Sequence, residues 1–405
     1  MSTTRGWQHP YLPGLAGMWR LAAAAGLGAA LLAGCGGSSD EGSSSTQASA
    51  TVTAGTIEGF DSSTSIVVNG LVFDSASAAV VDDDDRSSSR SALKLGMEVE
   101  IQSAQAATSS RSASATKIAF SSALVGLVDA VDTTANQLTV IGQTVQVSTG
   151  TVFGDDFADG LASVTVGSIL KVYGIFDAST GITTATRIEL KAAVDTFRLR
   201  GVVSALDTTA RTLQIGGQLV SFANIADADL PSGLADGSVV RAAVATAQVD
   251  GAWVASRIKA ERRFVEDGSN VDIDGVVTRF TSQTAFELCG LVVDATNATF
   301  VNEAALAKRA RVNVTGALVD GVLVATTVTV RDSASHGKVT LSGTISALDT
   351  TALTFVVNET TVSYSSTTNF VNGAEADLAD GLNVKVKGAL SSDGTTVVAS
   401  RITFK

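Results

Sequence analysis

Four sets of side chains in this 405-residue chain have types or spacings that could do chemistry. The first is Asp82, Asp83, Asp84 and Asp85, an unbroken acidic run ahead of "RSSSR". Carboxylates this dense attract a divalent cation, so these four are the candidate metal ligands. Calcium, however, wants about six to eight converging oxygens, and consecutive Asp residues point in different directions. Neither Gly nor Glu follows at the spacing of a calcium loop. A solvated acidic loop is therefore the favoured reading. The second set is a cation that recurs near the end of successive segments: Lys117, Arg187, Arg257 and Arg401, with Thr327 where a fifth would fall. Each alternates with residues such as Ile118, Ile188, Ile258 and Ile402, so on a strand it should face outward. A row of such cations would suit an acidic polysaccharide, which makes the four the candidate ligand-binding residues. A formal charge of −12 favours solubility or pairing with nearby acids instead. The third set is scattered. Cys289, in "FELCGLVV", reads as a small buried strand residue rather than a nucleophile. His336, in "RDSASHGK", reads as linker, with no recurring acid, Ser or Cys around it to build a triad. "AKRAR" at 307–311 reads as the solvated face of a short helix begun by "NEAALAK". No catalytic residue is assigned and no cofactor is expected.

Cys35 is the fourth set. Arg20 precedes the apolar run "LAAAAGLGAALLAG", residues 21–34. A helix this short does not cross a bilayer core of about 30 Å, so the run reads as a signal h-region. Its end, Leu32-Ala33-Gly34-Cys35, resembles the bacterial lipobox, in which the thiol takes a diacylglycerol and the Cys becomes the first residue of the mature protein. The resemblance implies a lipid on Cys35 and the membrane as a partner. Residue 36 is Gly rather than Asp, which in the sorting of such lipoproteins resembles an outer-membrane address. Met18 offers a second start, from which Arg20 would supply the positive charge of a compact signal. Cleavage before Cys35 leaves His336 as the one His and Cys289 as the one Cys beside the anchor, so no intrachain disulfide and no multi-His metal site can form.

The elements that must position these residues repeat. A β-type run begins near Gly55, Gly126, Gly201, Gly275 and Gly343, at intervals of about 70 residues. Copies close with "ATKI", "ATRI", "ASRI", "ATTV" and "ASRI". The third copy shows the order best. "RLRGVVSAL" is strand one, "DTTA" a turn, "RTLQIG" strand two and "QLVSF" strand three. "ADADLPSGLADG" then breaks the pattern with a short helical turn, before "SVVRAAVATAQ" and "WVASRIKAE" as strands four and five. "DTTA" recurs at 132–135, 207–210 and 349–352, where Asp and Thr oxygens would hold their own backbone in an Asx or ST turn.

An all-β chain of five tandem, small, five-stranded barrels follows, resembling the OB-fold in its helical interruption between strands three and four. Small β-sandwiches or SH3-like barrels are the alternatives. The boundaries read as a signal peptide at 1–34, a Gly/Ser/Thr-rich tether at 35–54, and repeats at 55–120, 121–191, 196–263, 271–332 and 338–405. Over residues 55–404 the strand-one pattern "G-V-V/T-I-S-A-L-D", the "L-x-x-G-x-x-V-x-V" before strand four and the closing "A-S/T-R-I" resemble bacterial lipoproteins built from tandem copies of an uncharacterised OB-like domain. The resemblance implies no catalytic residues. The expected function is that of a non-enzymatic, lipid-anchored protein of the bacterial cell envelope, at the outer membrane. It would act as a scaffold, or bind a polysaccharide or another envelope protein. A carbohydrate- or cation-binding module at the cell surface is the alternative. Nucleic acid is not expected as a partner. Aromatics are 5% of the chain, and Phe222, Phe300, Phe355 and Phe370 sit in apolar contexts suited to cores rather than to stacking platforms. Laid end to end, five such beads would reach about 100 Å.

Overall fold

The computed structural model describes residues 50–82, 84–103, 111–260, 270–331, 338–391 and 394–405. Cys35, Asp83, His336, the signal segment and most of the tether lie outside the described residues. Repeat 3 illustrates the architecture. Strand one, Phe197–Asp207, pairs antiparallel with strand two, Thr212–Ile215, which pairs antiparallel with strand three, Gln218–Ser221. Strand three runs parallel to strand five, Ala252–Ala260. Strand five pairs antiparallel with strand four, Val239–Val249, and strand four returns to strand one. The ring 1-2-3-5-4-1 is closed, so it is a barrel of OB type and not two opposed sheets. The same five pairings recur in repeat 1, repeat 2, repeat 4 and repeat 5. The interruption between strands three and four holds one 3-10 turn, as at Asp227–Asp229 in repeat 3 and Gly160–Ser163 in repeat 2, and in repeats 1, 2, 4 and 5 also a short strand parallel to strand five. Alternation places Leu213, Ile215, Val220, Val240, Ala242, Val244 and Ile258 inside, each under 2% exposed.

Two turn chemistries recur, the first in repeats 2, 3 and 5 and the second in all five barrels. In "DTTA" one carboxylate oxygen accepts two backbone N–H groups: Asp207 from Thr209 and Ala210 at 2.8 Å each, Asp132 from Thr134 and Ala135, Asp349 from Thr351 and Ala352. These are Asx turns, a structural use of the motif. Strands two and three are joined by a two-residue loop in which both residues are left-handed: Asn69-Gly70, Ile141-Gly142, Gly216-Gly217, Cys289-Gly290 and Asn358-Glu359. This is a type I′ hairpin, whose twist matches its flanking strands. Cys289 thus lies in a turn, with φ +50°, and not within a strand.

The hairpin tip folds over strand one, and the periodic glycine lies beneath it. A Cβ on Gly126 would sit 2.6 Å from Ile141 Cγ2. On Gly275 it would sit 2.7 Å from Cys289 Sγ, and on Gly343 2.7 Å from Asn358 Oδ1.

The barrels are not strung end to end. Residues 47–405 form one compact unit. Repeats 2 and 3 share one hydrophobic cluster, and repeats 1 and 5 another that takes in Val152 and Tyr173 of repeat 2. Val52 of repeat 1 joins the core of repeat 4. Strand one of repeat 1, Ala50–Ser62, runs parallel to strand one of repeat 4 at residues 50–53 and to strand one of repeat 5 at Gly59 and Phe60. Strand one of repeat 1 is longer than either neighbour in its own barrel, pairing with strand four at 51–56 and strand two at 57–62, and strands of repeats 4 and 5 cover the edges left open.

Gly126→Ala should destabilise repeat 2 by about 1–3 kcal/mol through overpacking against Ile141. Gly181→Ala, with φ +70° and open space around it, should cost only about 1 kcal/mol of backbone strain. Hydrogen exchange in repeat 2 checks the pair; equal effects would contradict the close approach.

Candidate functional site

Charged residues from three barrels converge where repeats 1, 2 and 3 meet. The register across the joint of repeats 2 and 3 sets their order. Lys171 lies opposite Val125, Val125 opposite Arg198, Arg198 opposite Ala243, and Ala243 opposite Arg257. Directly opposed residues project from one face. The joint therefore presents cation, short side chain, cation, short side chain, cation. The three cations stand about 10 Å apart, two strand spacings each. The Lys171 ammonium lies over the rings of Tyr173 at 5.2 Å and Phe120 at 5.7 Å.

The acidic run of repeat 1 closes over this face. Asp82 Oδ1 accepts the N–H groups of Asp84 and Arg86, which folds the loop back on itself. The Asp84 carboxylate then receives Arg86 at 2.5 Å, Arg257 at 2.8 Å and Arg198 at 3.5 Å, while Asp85 takes Lys259 at 2.5 Å. Arg198 also donates to Ser122 Oγ at 2.8 Å. Asp84 is not the solvated carboxylate expected from the sequence, because repeat 3 supplies guanidinium partners that composition could not reveal, whereas Asp85 stays 55% exposed beside Lys259. Among the described residues no group of three or more His, Cys, Asp and Glu is placed to hold a metal ion. Beside the Asp84 contacts a cleft of about 500 Å³ remains open, lined by the cations Lys171, Lys191, Arg198 and Arg257 and by the acids Asp82 and Asp195.

The four recurrent closing-strand cations do not form one row. Arg257 lines the cleft. Arg187 faces out of its own barrel, as alternation requires, but repeat 1 covers it and it is 8% exposed. It donates to Glu189 at 2.7 Å and to Leu95 O of repeat 1 at 3.0 Å. Burial alone would raise Glu189, but Arg187 and Lys191 outweigh it and hold that carboxyl below its ordinary value. Lys117 is half-buried, opposite Gln102 and Ala79 in repeat 1. Arg401 is exposed, opposite Lys387 in repeat 5. Two cations of the 307–311 cluster reach other barrels: Lys308 pairs with Asp177 of repeat 2 at 2.6 Å, and buried Arg311 pairs with Glu58 of repeat 1, while Arg309 is exposed.

A second polar centre joins repeats 1 and 4. Asn69 Nδ2 donates to Asp274 Oδ1 at 3.1 Å and to Ala54 O at 2.9 Å. Arg331 Nε lies 2.8 Å from Asp274 Oδ2, yet neither atom has an aligned hydrogen bond, so that contact is ionic only. Burial pushes the Asp274 carboxyl up to about 6, against the opposing pull of Arg331 and Asn69. Burial likewise pushes the Cys289 thiol up to about 12, where it is protonated and a poor nucleophile. Neither Arg198 nor Asp274 stands out in the sequence; both lie within three residues before the strand-one glycine, where neighbouring barrels meet.

The family model described as Domain of unknown function (DUF5666) matches residues 54–119, 125–189, 200–259, 274–329 and 342–403. No curated protein matches the chain.

Two measurements check the joints. Asp84→Asn should lower stability by about 1–2 kcal/mol, a loss that shrinks in high salt because the Arg257 partner is half exposed. Thermal melting at two ionic strengths reads it. The raised value of Asp274 means the folded state holds its proton more tightly than the unfolded state. Its contribution is full below the unfolded value near 4 and is lost as pH rises through about 6. Asp274→Asn should abolish that loss, on the order of 2 kcal/mol. Parallel denaturation curves for both proteins from pH 4 to 7 would contradict it.

Proposed function

The chain belongs to the DUF5666 family, and we propose that it is a non-enzymatic scaffold of the bacterial cell envelope, held to the membrane by a lipid on Cys35. The observation that carries this reading is where the tether meets the folded body. Strand one of repeat 1 begins at Ala50, and its first residues, 50–53, pair in register with Val271–Asp274 of repeat 4. Further along, the same strand pairs with repeat 5. A pull applied at Cys35 is delivered to the barrel around which the others are assembled. Residues 36–49 reach at most about 50 Å when fully extended, so the body would stand close to the membrane rather than at the end of a long rod. The repeated barrels fit a scaffolding role because Asp132, Asp207 and Asp349 are spent on their own backbone, and Asp84, Glu58 and Lys308 on neighbouring copies. The outer-membrane address rests on Gly36 and the apolar run before Cys35.

Radiolabelled palmitate fed to the native bacterium should enter the protein, and Cys35→Ala should abolish labelling and release the chain to the soluble fraction. Labelling that survives Cys35→Ala would overturn the anchor.

A further inference from the structure

We propose that the cleft at the joint of repeats 1, 2 and 3 binds a linear oligosaccharide bearing carboxylates, laid across the cations Lys171, Arg198 and Arg257. Three observations carry this. The cations sit at even intervals across one sheet face, and Val125 and Ala243 between them leave a groove floor rather than a ridge. An extended chain with regularly spaced charges can meet such a row, whereas a compact ion would use only one member. Next, the wall formed by Arg198 and Arg257 already holds a carboxylate, that of Asp84. Asp84 reports the chemistry the wall selects, and it competes with any incoming carboxylate. Finally, the groove is open to solvent at Arg257 and Lys191, whose side chains are 46% and 36% exposed, while Arg198, 9% exposed, lies under Asp84.

A polysaccharide is favoured over a single-stranded nucleic acid by two features of the same face. The aromatic rings at its end, Tyr173 and Phe120, are covered by the Lys171 ammonium and offer no stacking platform. A chain of formal charge −12 repels a densely charged phosphate backbone more than it repels sparse carboxylates. The acidic loop gives the site a regulator of its own, since displacing Asp84 frees two guanidinium groups for the glycan. The proposal is independent of the lipid anchor and stands or falls on binding alone.

The test is calorimetric titration of the full chain with a short oligogalacturonate. The fully methyl-esterified oligomer serves as the uncharged control, and an oligodeoxythymidylate as the nucleic-acid control. Oligogalacturonate should bind, weaken with added salt, and be preferred to both controls. Arg257→Gln should weaken binding about fivefold, as one half-exposed charge contact is lost. Lys191→Gln, in repeat 2 rather than repeat 3, should weaken it comparably, which guards against a folding defect in either variant. Asp84→Asn should tighten it. Absence of binding, equal binding of the ester, stronger binding of the oligodeoxythymidylate, or affinities unmoved by all three substitutions would overturn the proposal.

Discussion

Everything in this chain depends on strand one being approached from both sides. Within each barrel it pairs with strands two and four. Above it lies the tip of the hairpin formed by strands two and three. That tip is a two-residue left-handed loop, and it fits only because the residue below has no side chain. At Gly55 an added Cβ would meet the Asn69 amide, at Gly126 Ile141, and at Gly343 Asn358. The contact is not only steric. Asn69 and Asn358 donate from the tip to the carbonyl just before the glycine, Ala54 O and Ser342 O. A buried carbonyl on a barrel rim is thereby satisfied without a fourth strand neighbour. The glycine period of the sequence is the trace of this one close approach.

The same tips build the joints between barrels. Asn69 reaches from repeat 1 to Asp274 of repeat 4, and the Cys289 sulfur of repeat 4 reaches to Ala54 O of repeat 1 at 3.6 Å. Between repeats 2 and 3, Gln143 donates to Arg200 O at 2.9 Å and accepts from its N–H at 3.3 Å. One local solution, repeated, closes each barrel and then offers the polar groups that a neighbouring barrel can use. Specificity among the joints comes from the charges laid over that common scheme: Asp84 with repeat 3, Glu58 with Arg311 of repeat 4, Glu359 of repeat 5 with Lys94 of repeat 1. The partly exposed pairs, Asp84–Arg257 and Glu359–Lys94, add little stability singly, but like-charge mismatches would disfavour wrong partners.

This division explains what the sequence disclosed. Strand alternation, the Asp of "DTTA" and the glycine spacing are local, since each is determined by residues near it in the chain. The order of strands and the Asx turns were therefore readable. The type I′ tips had a signal in "NG" at 69–70 and "GG" at 216–217 that reads as a hairpin, although "IG", "CG" and "NE" concealed the pattern in the other copies. The burial of Arg187 was hidden for a different reason. Strand alternation correctly turned it away from its own barrel core, but alternation carries no information about repeat 1 lying outside, with Leu95 O waiting for its guanidinium. Asp84 failed the same way in reverse: a carboxylate flanked by carboxylates looks solvated until a barrel more than a hundred residues distant supplies Arg198 and Arg257.

An acidic chain that must pack five barrels together faces repulsion at every joint. Its formal charge of −12 is carried by 40 acids against 28 cations. Leaving the charges scattered would push the copies apart at low salt. Drawing Arg187, Arg198, Arg257, Lys259, Lys308 and Arg311 into contacts with other repeats or with acids beside them places positive charge where the barrels touch. The outer surface is left correspondingly more negative, which favours solubility of the assembly. The joint of repeats 1, 2 and 3 is where this arrangement leaves open space. Three cations in register face a cleft there, and the acidic loop that neutralises two of them enters from a separate barrel. Positive charge gathered to hold copies together is in that place also accessible from solvent, and a site for an outside anion arises from the same electrostatic necessity that assembles the fold.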